Sequence, residues 1–247
     1  MSLIADAKQF VSENIKAEFH DRRLAKVEAM KLPLLLRRKN PYLFRAKAVV
    51  SAPDMVKQII DANLSSSEET VFGKFLESLA RFIAARAYGA ITPATNSIDL
   101  DFSRNGTRYL VSIKSGPSWA NAPALRRMLQ EFGTARKIIG PRIPIVFVNG
   151  CCYGRDPNPF KSASNYLKLC GQDFWYFISN EINMYHEIVE PLGVKAKERN
   201  DEFNEAYGRL LTRFTRQFTD DFCSLDGAID WARVVDLTSR SKQLWHP

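Results

Sequence analysis

The run SIDLDFSRNGTRYLVSIKSGPSWAN, residues 97–121, sets two aspartates and a lysine on neighbouring apolar segments. In SIDLDF, Ile98, Leu100 and Phe102 alternate with Asp99 and Asp101, so a strand sends the apolar side chains to one face and both carboxylates to the other. Asn105-Gly106 is a strong hairpin signal. The returning strand then groups Tyr109, Val111 and Ile113 on one face and Leu110, Ser112 and Lys114 on the other. A carboxylate beside an ammonium at a sheet edge is, at its plainest, a surface ion pair worth little to stability. That reading leaves the basic surroundings and the KSGPSW turn unexplained. Phosphodiester hydrolysis accounts for them together: a hard cation such as Mg2+ takes carboxylate oxygens and keeps several waters. A lysine beside it supplies positive charge where the phosphorus centre grows more anionic.

The elements that must hold these groups are legible in outline. Residues 3 to about 30 read as one amphipathic helix, with Val11, Ile15 and Phe19 on a shared face. KLPLLLRRKNPYLFRAKAVVSAP, with three prolines and a basic run, reads as a connector or short helix. DMVKQIIDA predicts a second helix. A third is expected over SSSEETVFGKFLESLARFIAARAYG, opened by Ser66 and Glu69 at capping-box spacing, striped by Phe72, Leu76, Leu79 and Ile83, and ended by Gly89. After the hairpin, NAPALRRMLQEFGTARKIIG predicts a basic helix and PIVFVNG a central strand. From about 160 onward the aromatics recur at helical spacing, so SNYLKLCGQDFWYFISNEINMYHEIVEPLG and DEFNEAYGRLLTRFTRQFTDDFC read as helices with those aromatics in the core. Helix, strand, strand, helix, strand implies an α/β core with a mixed sheet and helical additions at both ends. The whole chain, 1–247, is expected to be a single domain: a helical N-terminal region (1–64), a catalytic core (65–150) and a helical and strand C-terminal region (151–247).

Charge points to an anionic partner. The 247 residues carry a net charge of +8. Residues 1–50 hold 11 basic against 5 acidic side chains, and residues 101–150 hold 8 against 2. An excess confined to these two segments fits a nucleic acid, and a solvated basic face is the plainer alternative. The first cluster, Arg37, Arg38, Lys39, Arg45 and Lys47, has Tyr42 and Phe44 to fix it and suits DNA phosphates. In SGPSWANAPALRR, Ser115, Trp119 and Asn121 are candidates to shape a DNA-contacting loop, and Arg126 and Arg127 to reach a groove or phosphates; a solvated helix face competes with this. Four cysteines, Cys151, Cys152, Cys170 and Cys223, lack C-x-x-C spacing and read as small buried hydrophobes. His20, His186 and His246 are too scattered for a ligand set. No signal-peptide core and no run of about 18 apolar residues occurs, so a cytoplasmic protein without a membrane partner is expected.

At this point the residues resemble a known family. A helix, Ile-Asp on a strand, a hairpin and x-x-Lys on the next strand together look like the PD-(D/E)XK nuclease core. NPYLFRAK, SSSEETVFGKFLE, SIDLDF, VSIKSGPSW, VNGCCYG and KLCGQDFWYFIS, spread over residues 39–180, more narrowly resemble a group of bacterial type II restriction endonucleases. The resemblance implies a restriction-endonuclease-like α/β fold and a Mg2+-dependent homodimer. It would cut both strands of double-stranded DNA at a short palindromic site, GG/CC-type with a degenerate centre. A cognate methyltransferase would act on the same site and need not bind this chain. By the same resemblance Asp99 matches the first acidic position and Lys114 the lysine. Ser112 departs from the pattern, standing where Asp or Glu is expected; a hydroxyl can hold a water but brings no charge. A further carboxylate is therefore needed. Glu77, on the preceding helix, is the first choice and Glu131, on the following helix, the second. Asp101 is third, since two residues along a strand is about 7 Å. Each of the two glutamates is otherwise a solvated helix residue.

Other classes fit less well. An HNH nuclease needs clustered histidines. An amino-methyltransferase is faintly suggested by Asn40-Pro41-Tyr42, but the second proline and a Gly-rich cofactor loop are missing, and a P-loop enzyme lacks G-x-x-x-x-G-K. Two alternatives stay open: a DNA-binding protein with a degenerate nuclease site, which Ser112 keeps alive, and a DNA repair endonuclease of the same fold.

Overall fold

The computed structural model describes residues 2–93, 98–140 and 143–241. It divides into two compact units: Met1–Glu18 with Phe72–Val194, and Phe19–Val71 with Lys195–Pro247. The first unit holds a five-stranded mixed sheet in the order β1-β2-β3-β5-β4: β1 (Leu100–Arg104), β2 (Thr107–Lys114), β3 (Ile145–Cys151), β4 (Phe160–Lys161) and β5 (Tyr166–Cys170). Strands β1 and β2 are antiparallel, β2, β3 and β5 run parallel, and β4 closes the far edge antiparallel. The turn between β1 and β2 is made by Asn105 and Gly106, both at positive φ, as the Asn-Gly pair predicts.

Parallel strands need both faces covered. One face is met by α6 (Ala122–Ile139), whose Met128, Phe132 and Ala135 pack with Leu110, Phe147 and Tyr166; the rings of Phe132 and Phe147 stack at 4.7 Å. The other meets α5 (Ala52–Tyr88) and α7 (Gln172–Ser179), where Tyr88, Phe102, Tyr109 and Phe177 form one aromatic cluster with centroids 5.1–5.6 Å apart. Helix α1 (Leu3–Ile15) also belongs here: Phe10 stacks on Phe82 of α5 at 4.6 Å, and Lys8 pairs with Glu187 at 2.7 Å. That glutamate lies on α8 (Met184–Glu187), which α9 (Val189–Leu192) follows.

The second unit is helical. It contains α2 (Asp21–Glu28), α3 (Leu32–Leu36), α4 (Pro41–Ala46), the first half of α5, α10 (Ala196–Phe222) and α11 (Trp231–Ser239). Val27, Leu36, Met55, Ile59, Ile60, Phe214, Phe218 and Val234 form its core. Arg23 pairs with Glu68, and Tyr207 donates to Asp61 at 2.7 Å.

Three expectations are corrected. The helix over residues 3 to about 30 is interrupted by a π-helical turn at Lys16–His20. The two helices expected on either side of Ser65–Ser67 are one 37-residue helix, α5, with Ser66 in its interior. Serine costs only a few tenths of a kcal/mol inside a helix, Thr70 Oγ1 donates back to the Ser66 carbonyl, and buried Leu64 and Val71 carry the packing across the polar stretch. Residues 166–170, read as helical, form β5, paired from Val148–Leu167 to Cys151–Cys170. Parallel pairing to β3 overrides the aromatic spacing that follows it.

One glycine is dictated by close approach. A Cβ on Gly150 of β3 would lie 2.2 Å from the ring of Phe174, which is wholly buried. Gly150→Ala is therefore expected to lower unfolding free energy by about 1–3 kcal/mol, read from urea denaturation; unchanged stability would show that the ring can move aside.

Candidate functional site

Helix α5 reaches the end of β2 at very close range. A Cβ on Gly73 would lie 3.2 Å from the Ser115 Cβ, so glycine lets the helix pass just beyond Lys114. One turn further on, Glu77 meets Asp99. Arg81 Nη2 donates to Glu77 Oε1 at 2.5 Å and to Asp99 Oδ1 at 2.9 Å, so one nitrogen bridges both carboxylates. The second oxygen of Asp99 accepts from the Ile113 backbone N–H at 2.7 Å.

Asp99 is aimed at α5 by a break in the strand. Its backbone N–H donates to the Val111 carbonyl at 2.7 Å, yet Val111 is already the partner of Leu100. Two residues thus oppose one, the arrangement of a β-bulge, which re-aims side chains next to it. Ile98 accordingly joins Leu110 in the cluster under α6, while Leu100 stays with Val111 on the opposite face. The expected alternation from Ile98 through Phe102, with Asp99 and Asp101 on one face, is corrected by this bulge. Asp101 is occupied elsewhere, clamped by Arg108 Nε at 2.9 Å and Nη2 at 2.5 Å across the hairpin.

Lys114 ends β2 and makes no ion pair among the described residues. Its Nζ lies 5.0 Å from the centre of the Trp119 ring. Trp119 is itself held: its indole N–H donates to Asn149 Oδ1 at 3.0 Å, and Asn149 Nδ2 donates to the Ser112 carbonyl at 3.3 Å. A buried asparagine on β3 thereby ties the tryptophan to the strand that carries the lysine. The charge of Lys114 also reaches Glu77. Burial, then the negative charge of Asp99, push the Glu77 carboxyl above the usual carboxylate range, with Arg81 and Lys114 pulling the other way.

Glu77 and Asp99 are thus brought together, Lys114 acts on Glu77 through its charge with no hydrogen bond or ion pair to either among the described residues, and Arg81 is the member that sequence reading missed. Its signal was the i, i+4 spacing from Glu77 on a helix, which makes side chains neighbours. Ser112 is fully buried and its hydroxyl has no hydrogen-bond partner among the described residues. Glu131, half-buried on α6, is tied to Asp99, Glu77 or Lys114 by no hydrogen bond or ion pair among the described residues. Asn121 caps α6, accepting from the Ala124 N–H at 3.0 Å; Arg126 and Arg127 are exposed in its first turns, and Ser115 is half-buried against α5. In the second unit Arg37, Arg38, Arg45 and Lys47 are exposed and Lys39 half-exposed, and none forms an ion pair among the described residues. Phe44 is buried beside them, whereas Tyr42 is exposed, so only the phenylalanine anchors the cluster.

The donor set suits a hard cation. Among the described residues no three His, Cys, Asp or Glu side chains group as a cage. Mg2+ does not need one, since it binds through one or two carboxylates and retains waters. Glu77 and Asp99 already converge on a positive nitrogen, which stands in for that charge. The four cysteines are free and buried, and burial pushes the Cys151 thiol up to about 12. His186 stacks on Tyr185, and His246, like Ser97 of the SIDLDF run, lies outside the described residues. No helix among the described residues is long and apolar enough to cross a membrane.

A family model described as type II restriction endonuclease EcoO109I matches residues 5–200 of the chain. No curated protein matches it.

The raised Glu77 carboxyl carries a stability consequence. An acid whose folded pKa lies above its unfolded one favours folding while protonated; that contribution is full below the unfolded value and is lost as pH rises through the folded one. Without divalent cations, Glu77→Gln should therefore melt higher than the unsubstituted protein near neutral pH, with the gain shrinking toward about pH 4. Melting curves at both pH values check this, and a lower melting temperature near neutrality would refute it.

Proposed function

Because the chain belongs to the type II restriction endonuclease EcoO109I family, we propose that it hydrolyses both strands of double-stranded DNA at a short palindromic site, with Mg2+ as cofactor. Cleavage of DNA follows from the family itself. The finer reading rests on one observation: Glu77 and Asp99 share a single cationic nitrogen, on elements that converge at the end of β2, the strand that carries Lys114. A GG/CC-type sequence with a degenerate centre is the proposed target, read by a homodimer whose two-fold symmetry would match the palindrome. We take the whole chain, 1–247, as one endonuclease domain acting in the cytoplasm, with a cognate methyltransferase protecting the same sites without binding it.

Asp99 and Glu77 would hold the cation, which when bound supplies Lewis-acid activation at phosphorus and of water. The chain's own groups do the rest. Asp99 is fixed by the Ile113 N–H and so offers an acceptor that needs no reorganisation. Glu77, costly to ionise where it stands, gains most from an approaching positive charge. Lys114 makes no ion pair among the described residues, and Trp119 steadies its ammonium for an anionic phosphate oxygen. Ser112, fully buried, is assigned no direct part in holding the cation; its carbonyl anchors Asn149, and through it Trp119. Glu131 stays the alternative ligand, favoured only if it carries the charge that Glu77 does not.

The exposed and half-exposed basic side chains supply phosphate contacts: Arg37, Arg38, Lys39, Arg45 and Lys47, with Arg126 and Arg127 on α6. Ser115, Trp119 and Asn121 shape the loop between the catalytic strand and that helix.

Asp99→Ala and Lys114→Ala are each expected to reduce Mg2+-dependent cleavage by about a hundredfold or more, with DNA binding in Ca2+ surviving Lys114→Ala. Glu77→Gln should fall with them while Glu131→Gln stays active; the reverse would reassign the ligand. Mapping the ends after digestion of a sequenced plasmid checks the reaction class. Discrete ends support a restriction enzyme, cuts at flaps or mismatches support a repair enzyme, and binding without cutting supports a degenerate site. Paired Arg37→Gln and Arg38→Gln should reduce the slope of log affinity against log salt by about 2, measured by fluorescence anisotropy; an unchanged slope would remove both from the interface.

A further inference from the structure

Arg81 is held by the acids of the site but is incompletely satisfied there. Nη2 carries both contacts, to Glu77 Oε1 and Asp99 Oδ1, while Nε is buried with no hydrogen-bond partner among the described residues. A buried, unpaired N–H is costly, so this arrangement does not use the guanidinium's full donor capacity. The side chain is also the most exposed of the three, at 37% against 31% for Glu77 and 15% for Asp99. It can therefore swing toward solvent without disturbing the core. Asp99 cannot follow, being pinned through its other oxygen to the backbone of Ile113.

Resting on the proposed site, we propose that Arg81 is a resident counter-cation of the Glu77 and Asp99 carboxylates, which a divalent cation must displace to bind. The two oxygens that Arg81 holds, Glu77 Oε1 and Asp99 Oδ1, meet at its Nη2, so a hard cation seated between them would take the place of that nitrogen and be repelled by its charge while it stays. Without metal, Arg81 keeps two acids together that would otherwise repel each other. With metal, it is released. Apparent metal affinity is then reduced by the fraction of molecules in which Arg81 sits between the acids. This makes Arg81 a positioning residue that sets how much divalent cation the protein needs.

The test is metal binding without DNA, by calorimetric titration of the full-length protein with Mn2+. If Arg81 occupies the site in about nine molecules of ten, Arg81→Met should tighten binding about tenfold. Removing any nearby positive charge also helps a cation through space, so Lys114→Met serves as the control: it removes a charge that reaches Glu77 but makes no ion pair among the described residues. A through-space effect would tighten both variants, Arg81→Met the more because its charge is nearer, and both gains would shrink at about 1 M salt, where the screening length is only about 3 Å. Displacement predicts a larger, salt-resistant gain for Arg81→Met alone. Affinity in Arg81→Met no tighter than in Lys114→Met, or a gain that shrinks with salt as the control's does, would overturn the proposal. Should the methionine variant fail to fold, Arg81→Gln replaces it under the same criteria. Asp99→Asn separates the two levels of inference: if it binds Mn2+ as the unsubstituted protein does, the metal-site reading itself fails. If Asp99→Asn loses binding while Arg81→Met gains nothing, only the counter-cation role fails.

Discussion

The candidate site depends on how the Asp99 carboxylate is held. One of its oxygens is fixed by a backbone N–H of the neighbouring strand, so the position of the acid is set by the sheet and not by its own rotamer freedom. The bulge opposite Val111 makes this geometry available: it takes Asp99 out of the regular alternation and turns it toward the helix that carries Glu77 and Arg81. Leu100 onward then resumes normal pairing, which keeps Phe102 stacked in the aromatic cluster. A local irregularity in one strand thus serves the site while the rest of the hairpin serves the fold.

Several groups around this point are kept at a cost. Glu77 is half-buried beside a second carboxylate, Arg81 Nε and Ser112 Oγ are buried without hydrogen-bond partners among the described residues, and Asn149 is a buried amide in an apolar strand. Polar groups in such places normally cost stability. Clusters of them are what active sites retain, since perturbed acids and unspent donors become useful when a ligand arrives. Asn149 is the exception that is satisfied, linking Trp119 to the Ser112 carbonyl on the strand that carries Lys114.

Much of this was legible in the sequence. Asn105-Gly106, the apolar run of β3 and the helix after Lys114 all follow from local chemistry, whereas the cation that Asp99 pairs with is Arg81 of α5 and not the lysine one strand away. Glu77 could be placed only by resemblance, because its meeting with Asp99 is a tertiary event between residues 22 positions apart. The bulge was not legible: Ile98-Asp99-Leu100 alternates in sequence as well as any regular strand, and only the second use of the Val111 carbonyl reveals the break. The continuity of α5 through three serines, and the strand at Tyr166, were likewise decided by packing and pairing that outweigh weak local propensity.

The buried thiols have one more consequence. Cys151, Cys152 and Cys170 lie in the first unit and Cys223 in the second, all unpaired and shielded. Thiolate is the reactive form, and burial suppresses it. Alkylation of each cysteine must therefore wait for its surroundings to open, and mass-resolved labelling times would act as an internal clock, reporting separately how often each half of the molecule breathes.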